Sequence, residues 1–113
     1  MATFREAVLE VVRAVPHGKV VTYGQVAAMV GSPNAARQVG AVLFGISDTE
    51  HDVPWQRVIN AEGGISTYKV GNGELQVALL RAEGIEVSTA ERGAERVDLR
   101  RYQWRPDIEE HGD

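Results

Sequence analysis

Apolar positions in the first fifteen residues repeat at helical spacing. Phe4, Ala7, Val8, Val11, Val12 and Val15 recur at i, i+3 and i+4 and predict one buried helix face. Thr3 and Glu6 stand in capping-box register, and Pro16-His17-Gly18 ends the helix with a residue that cannot extend the hydrogen-bond ladder and one that permits a turn. Arg5 and Glu10 fall on the opposite face and read as solvating charges. After the extended link Lys19-Val20-Val21, Thr22 opens a second helix with Gln25 as its capping-box partner, and Gly31 stops it. Ser32 as N-cap and Pro33 as first residue predict a third helix running through Asn34 to Phe44. Two short helices joined by a tight glycine turn, after a longer scaffold helix, form a helix-turn-helix pattern.

The second half is less regular. A polar connector over 47–54 leads into Pro54-Trp55-Gln56-Arg57-Val58-Ile59, and Gly63-Gly64 turns the chain into a loop carrying Tyr68, Lys69, Gly71 and Gly73. A fourth helix is predicted from Glu74 to Glu83, with Leu75, Ala78, Leu79 and Ala82 on its buried face and Gly84 at its end. Val97 to Trp104 reads as a short strand or an ordered tail packed on the core. The expected fold is mainly α: a compact helical domain with a helix-turn-helix (winged-helix-like) and a few short strands. It forms one domain over 1–106, followed by an acidic tail over 107–113.

Composition narrows the chemistry. The chain of 113 residues is 43% hydrophobic and 25% charged, as expected of one soluble globular domain. No apolar run approaches the roughly 18 residues of a membrane helix, and no secretory signal stands at the start, so the cytoplasm is the expected location. There is no cysteine, hence no thiolate ligand and no sulfur nucleophile. His17, His51 and His111 are scattered, and neither a metal nor a cofactor is expected. The net charge of −4 argues against a broad basic sheath, but it is unevenly spread. Arg5, Arg13, Lys19 and Arg37 outnumber Glu6 and Glu10 before residue 48, and Asp107, Glu109, Glu110 and Asp113 crowd the last seven residues. A nucleic-acid contact would therefore be local and N-terminal.

The third helix carries small residues, Ala35, Ala36, Gly40 and Ala41, with Asn34, Arg37 and Gln38 as its polar members. Such a face can approach another surface closely, and one projecting arginine can reach into a groove or fill a vacated base position. The same residues also suit an ordinary helix with a solvated charge. Tyr23, one residue inside the second helix, can hold a phosphate through its hydroxyl or serve as a half-buried core tyrosine.

Four ordered segments then align with a family: Lys19 to Ala27, Ser32 to Gly40, Pro54 to Ile59, and Leu79 to Gly84. Over roughly residues 2–88 the chain resembles the DNA-binding domain of the O6-alkylguanine-DNA alkyltransferases, which take an alkyl group onto a cysteine. The family signature Pro-Cys-His-Arg-Val reads Pro54-Trp55-Gln56-Arg57-Val58 here. Trp55 stands at the nucleophile position and Gln56 at that of the activating histidine. Breaking an alkyl–oxygen bond needs a strong nucleophile, which an indole is not, and an amide is no base near neutral pH. Glu83 falls where the family has a carboxylate that orients the histidine.

A tryptophan at that position resembles the alkyltransferase-like proteins, which bind O6-alkylguanine in DNA without repairing it and pass it to nucleotide excision repair. Val97 to Pro106 is similar to their C-terminal segment. They more often carry His after the Trp, and the enzymes' hinge asparagine falls on Ser47 here. The resemblance implies a non-enzymatic DNA damage sensor with no catalytic residue, acting as a monomer on double-stranded DNA. Arg37 would hold the gap left by a flipped nucleotide, Tyr23 would press on the adjacent phosphate, and the third helix would lie in the minor groove. Thr22, Tyr23, Ser32, Asn34, Ala35, Ala36, Arg37 and Gln38 would contact DNA. Pro54, Trp55, Gln56, Arg57, Val58, Tyr68 and Lys69 would form the lesion pocket, with the Tyr68 hydroxyl facing the guanine O6. Arg57 reads as structural, tying the pocket strand to backbone carbonyls or a carboxylate. Two other readings stay open from sequence: a helix-turn-helix transcription regulator of undamaged DNA, and a residual enzyme that uses a bound water.

Overall fold

The computed structural model describes residues 2–46, 50–67, 71–89 and 94–106. Ser47, Tyr68, Lys69 and the tail over 107–113 lie outside them. Helix α1, Phe4–Ala14, starts with the capping box expected of Thr3 and Glu6: the Thr3 side chain accepts from the Glu6 amide, and the Glu6 carboxylate accepts from the Thr3 amide. Its buried positions are Val8, Leu9 and Val12, with Val15 just beyond. The core stripe therefore includes Leu9, while Phe4, Ala7 and Val11 flank it half-buried. Arg5 is not merely solvating, and Arg13 acts with it. They pair with Glu50 and Asp52, tying α1 to the segment before Trp55.

Strand β1, Val21–Thr22, pairs in parallel with β2, Val58–Ile59. Alternate residues of a strand face opposite sides, and here that periodicity separates two cores. Val21 and Val58 pack with α1, α2 and α3, whereas Val20 and Ile59 pack with Ile65, Val77, Leu80 and Ile85. The strand pair is thus the wall between the two halves of the interior.

Helix α2, Tyr23–Met29, is N-capped by Thr22, whose hydroxyl accepts from the Gln25 amide. The expected reciprocal bond is absent. The Gln25 side chain instead donates to the Trp104 carbonyl at 2.6 Å and accepts from Gln103 at 2.8 Å. Gly31, at φ 85°, ends the helix as its lack of a Cβ allows.

Helix α3 is Ala36–Phe44, shorter than expected. Ser32 and Pro33 form a turn closed by the Ala35 amide donating to the Ser32 carbonyl, and no side chain caps the helix. Asn34 and Ala35 therefore precede α3 and do not ride on it. Gly40, expected on the open face, is buried.

Helix α4, Gly73–Ala82, buries Gly73, Gln76, Val77 and Leu80. This corrects the expected face: Leu75 is 52% exposed, and Ala78 and Ala82 are exposed as well. The inversion follows from one polar residue. Gln76 is 1% exposed because its amide bridges three groups across the core, and the helix turns Leu75 outward, leaves Leu79 half-buried and buries Leu80. The chain closes with the antiparallel pair β3, Val87–Ser88, and β4, Arg96–Val97, then the short helix α5, Leu99–Tyr102. Beyond it, Gln103 bridges to Val20 and the Trp104 amide donates to the Val20 carbonyl at 2.7 Å. The architecture is mainly helical, with small open two-stranded sheets. No helix among the described residues is long and apolar enough to cross a membrane.

Candidate nucleic-acid interface and pocket

Helices α2 and α3 pack together and against α1, so the helix-turn-helix is presented on a scaffold. Arg37 and Gln38, in the first turn of α3, are exposed, as is Asn34 in the turn before it. Ser32, Ala35 and Ala36 are half-buried. Thr22 is largely buried, with its hydroxyl committed to the cap of α2. Tyr23 is half-buried and shares a 3.1 Å hydrogen bond with the Ser66 hydroxyl. Burial raises its phenol pKa, against a smaller opposing effect of that hydrogen bond, so the phenol stays protonated. Tyr23 is thus a half-buried tyrosine that packs on the first core and still reaches the surface.

A groove of about 550 Å³ runs along this face, lined by Arg37, Ala36 and Gly40 on α3, by Tyr23 and Gly24 on α2, and by Asn60, Ala61 and Ser66 opposite. A second cavity, of about 360 Å³, lies beside it under the C-terminal end of α3. Trp55 lines that cavity with Tyr23, Leu43, Phe44, Ile46 and Val53 on the apolar side and Glu50, His51, Thr67 and Asn72 on the polar side. The indole, half-buried against the first core, thus faces a hollow next to the helix-turn-helix.

The residues after Trp55 support the cavity and do not line it. Trp55–Arg57 form one 3-10 turn, begun by Pro54, that feeds directly into β2. Val58 is fully buried in that strand. The Gln56 side-chain amide donates to a Glu83 oxygen at 2.8 Å. Arg57 donates to both Glu83 oxygens at 2.9 and 3.0 Å and to the Val15 carbonyl at 2.8 Å, the structural role its sequence context implies. The Gly18 amide completes the ring of donors around Glu83 at 2.9 Å. Burial alone would push the Glu83 carboxyl up. The Gly18 amide, the Gln56 amide and the Arg57 guanidinium outweigh it and hold the carboxyl below its ordinary value.

This arrangement binds charge and positions a turn, and it offers no attacking atom. Gln56 is a donor toward Glu83 and cannot take a proton. No group of three or more His, Asp or Glu side chains among the described residues could hold a metal ion. Sequence reasoning missed most of the cavity wall, because Leu43, Ile46, Val53, Thr67 and Asn72 come from four separate segments. Phe44 alone carried a signal, standing two helical turns after Arg37 on the same face.

A helix-turn-helix joined to a pocket floored by tryptophan defines a domain of the alkyltransferase DNA-binding type without its transfer chemistry. The chain belongs to the family described as 6-O-methylguanine DNA methyltransferase, DNA binding domain, which matches residues 3–85, and to its non-catalytic, alkyltransferase-like branch. It is 40% identical over 107 residues to alkyltransferase-like protein 1 of Schizosaccharomyces pombe, covering 94% of this chain and 98% of that one. It is 44% identical over 102 residues to a DNA base-flipping protein of Escherichia coli, covering 90% and 74%. The crystal structure of Schizosaccharomyces pombe Atl1 in complex with damaged DNA containing O6-carboxymethylguanine superposes with a TM-score of 0.84 at 39% identity, over 94% of this chain and all of that one.

Proposed function

We propose that the protein is a non-enzymatic sensor of O6-alkylguanine in duplex DNA. The observation that carries this reading is the cavity beside the helix-turn-helix, floored by Trp55 and backed by Gln56 and Glu83 where alkyl transfer would need a thiolate and a base. Helix α3 lies in the minor groove, where its small residues permit close approach and base identity matters little. Arg37 occupies the gap left by the flipped nucleotide, and the Tyr23 hydroxyl meets the neighbouring phosphate. Thr22, Ser32, Asn34, Ala35, Ala36 and Gln38 complete the contact with the backbone and groove. Trp55 contacts the flipped base in the cavity. Pro54, Gln56, Arg57 and Val58 set its position, and Tyr68 and Lys69 close the pocket from the loop.

Extruding a base costs a few kcal/mol, less where alkylation has weakened the pair, and stacking in the pocket returns about 1–3 kcal/mol. Lesion DNA should therefore be favoured over intact DNA. The protein acts as a cytoplasmic monomer and marks the site for nucleotide excision repair proteins. The test is a titration of labelled duplexes that differ only in guanine or O6-methylguanine at one position. Tighter binding of the methylated duplex is expected, and equal dissociation constants would defeat the lesion-sensor reading.

A further inference from the structure

Gly63 and Gly64 turn the chain after β2, and their bare Cα atoms also admit a close neighbour. A side chain at Gly63 would run into the Val97 carbonyl. A Cβ on Gly64 would stand 2.8 Å from Asn60 Nδ2 and 3.0 Å from a terminal nitrogen of Arg96. Strand β4 therefore lies directly on the turn, where the Val97 amide donates to the Gly63 carbonyl at 2.8 Å and Gly64 bridges to Arg96. The turn itself is braced, since Asn60 Oδ1 accepts from the Glu62 and Gly64 amides at 3.0 and 2.7 Å. This contact lays the Arg96 guanidinium beside the Asn60 side chain, no more than about 6 Å from its nitrogen. Asn60 and Ala61 form the wall of the Arg37 groove opposite α3. Arg96 stands just past that wall, exposed to solvent.

Its charge is uncompensated. Arg5, Arg13, Arg57, Arg100 and Arg101 each stand within 4.0 Å of a carboxylate. Arg96 instead donates to the Glu95 carbonyl at 2.9 Å and, among the described residues, forms no ion pair. A neutral carbonyl accepts one bond and leaves the positive charge in place, while the planar guanidinium fork suits two oxygens of a phosphate. Arg96 also lies beyond residues 3–85, the span of the family domain. We infer that Arg96 holds a backbone phosphate of the bound duplex, so that the DNA footprint runs from Arg37 across the turn over 60–64 to β4. This rests on the reading that the α3 groove receives the DNA, and it extends that surface. The two arginines then have separate tasks. Arg37 acts at the flipped nucleotide, whereas Arg96 fixes the duplex in register and carries no information about sequence or damage. In a chain of net charge −4, one well-placed cation at the edge of the groove offsets repulsion that the rest of the surface exerts on DNA.

The experiment measures dissociation constants of the full chain and of Arg96→Ala, Arg96→Lys and Arg100→Ala over a series of salt concentrations, for duplexes carrying guanine or O6-methylguanine. One phosphate contact contributes about 0.9 to the slope of log affinity against log salt. Arg96→Ala should make that slope shallower by about this amount and weaken both duplexes by the same factor, leaving their ratio within about twofold. Arg96→Lys, which keeps the charge without the fork, should restore the slope. Arg100→Ala removes the same charge from a side chain 95% exposed on α5 and should leave the slope as it is. Equal changes in Arg96→Ala and Arg100→Ala would overturn the proposal by reducing it to net charge. An unchanged slope in Arg96→Ala, or a loss confined to the methylated duplex, would overturn it too. Failure of the unmodified protein to prefer the methylated duplex would instead strike the lesion-sensor reading, and the slope on the guanine duplex would still decide the role of Arg96. Thermal melts of the variants confirm that an exposed side chain has been changed without loss of the fold.

Discussion

The Gln56 side-chain nitrogen lies 2.8 Å from a Glu83 oxygen, so the pair keeps the outline of a base and its orienting carboxylate while holding an amide in the base's place. Restoring only the nucleophile should therefore accomplish little. Trp55→Cys is expected to leave a labelled methyl group on O6-methylguanine DNA, because the position joined to Glu83 holds the Gln56 amide, which cannot take the thiol proton. Adding Gln56→His places an imidazole within reach of Glu83 and should raise transfer to protein at least about a hundredfold over the single variant. Counting label on protein against time checks both, and rapid stoichiometric transfer by Trp55→Cys alone would contradict this account.

Glu83 also ties stability to pH. Its carboxyl is held below its ordinary value by donors from Gly18, Gln56 and Arg57 despite burial. A carboxyl that ionises at lower pH when folded than when unfolded contributes fully above the ordinary carboxylate range, and that contribution disappears as pH falls through the folded value. Glu83→Gln should cost about 2 kcal/mol at neutral pH, since it leaves the half-buried Arg57 guanidinium without its charge-assisted hydrogen bonds. The penalty should shrink toward acid. Urea melts of both proteins from neutral to strongly acidic pH give the two curves, and parallel curves would remove Glu83 from this role.

Arg37 is exposed at the start of α3 and lines the groove. Arg37→Ala is expected to weaken binding of an O6-methylguanine duplex by about 1–3 kcal/mol, the loss of one inserted contact. Its melting temperature should not move. An unchanged dissociation constant would take away the gap-filling role.

Gln76 should matter more to stability than any exposed residue of its helix. Its carbonyl accepts from the Thr67 hydroxyl at 2.6 Å, and its amide donates to the Gln56 and Val58 carbonyls at 2.9 and 3.0 Å. Gln76→Leu strands all three partners and should destabilise by about 3 kcal/mol. Leu75→Ala, on the open face, should cost well under about 1 kcal/mol. Equilibrium denaturation ranks the two directly, and the reverse order would restore the Leu75 face as the buried one.

The elements readable from sequence are those fixed by neighbours along the chain. Thr3, Glu6 and the valine stripe specify α1 within one helical turn of each residue, and Gly31 ends α2 for the same local reason. The start of α3 is not legible in this way because Ser32-Pro33 suits a turn as well as a helix start, and the folded chain adopts the turn. The buried face of α4 differs from the expected one because hydropathy assigns glutamine to solvent, whereas Gln76 finds three partners from distant segments. The site divides in the same way. Trp55, Arg57 and Glu83 were legible through motif register, while the cavity wall depends on contacts that spacing does not encode. Tyr68 and Lys69 lie outside the described residues.

The clasp between the chain's two ends has a consequence for biosynthesis. Gln25 waits 79 residues for the Trp104 carbonyl it binds. At about 5–20 residues per second, that is roughly 4–16 seconds of translation. Throughout this interval the emerging polypeptide holds α2 without its partner and β1 without the Gln103 and Trp104 bonds along Val20. Most of the domain is therefore synthesised before its first strand is fully sheltered.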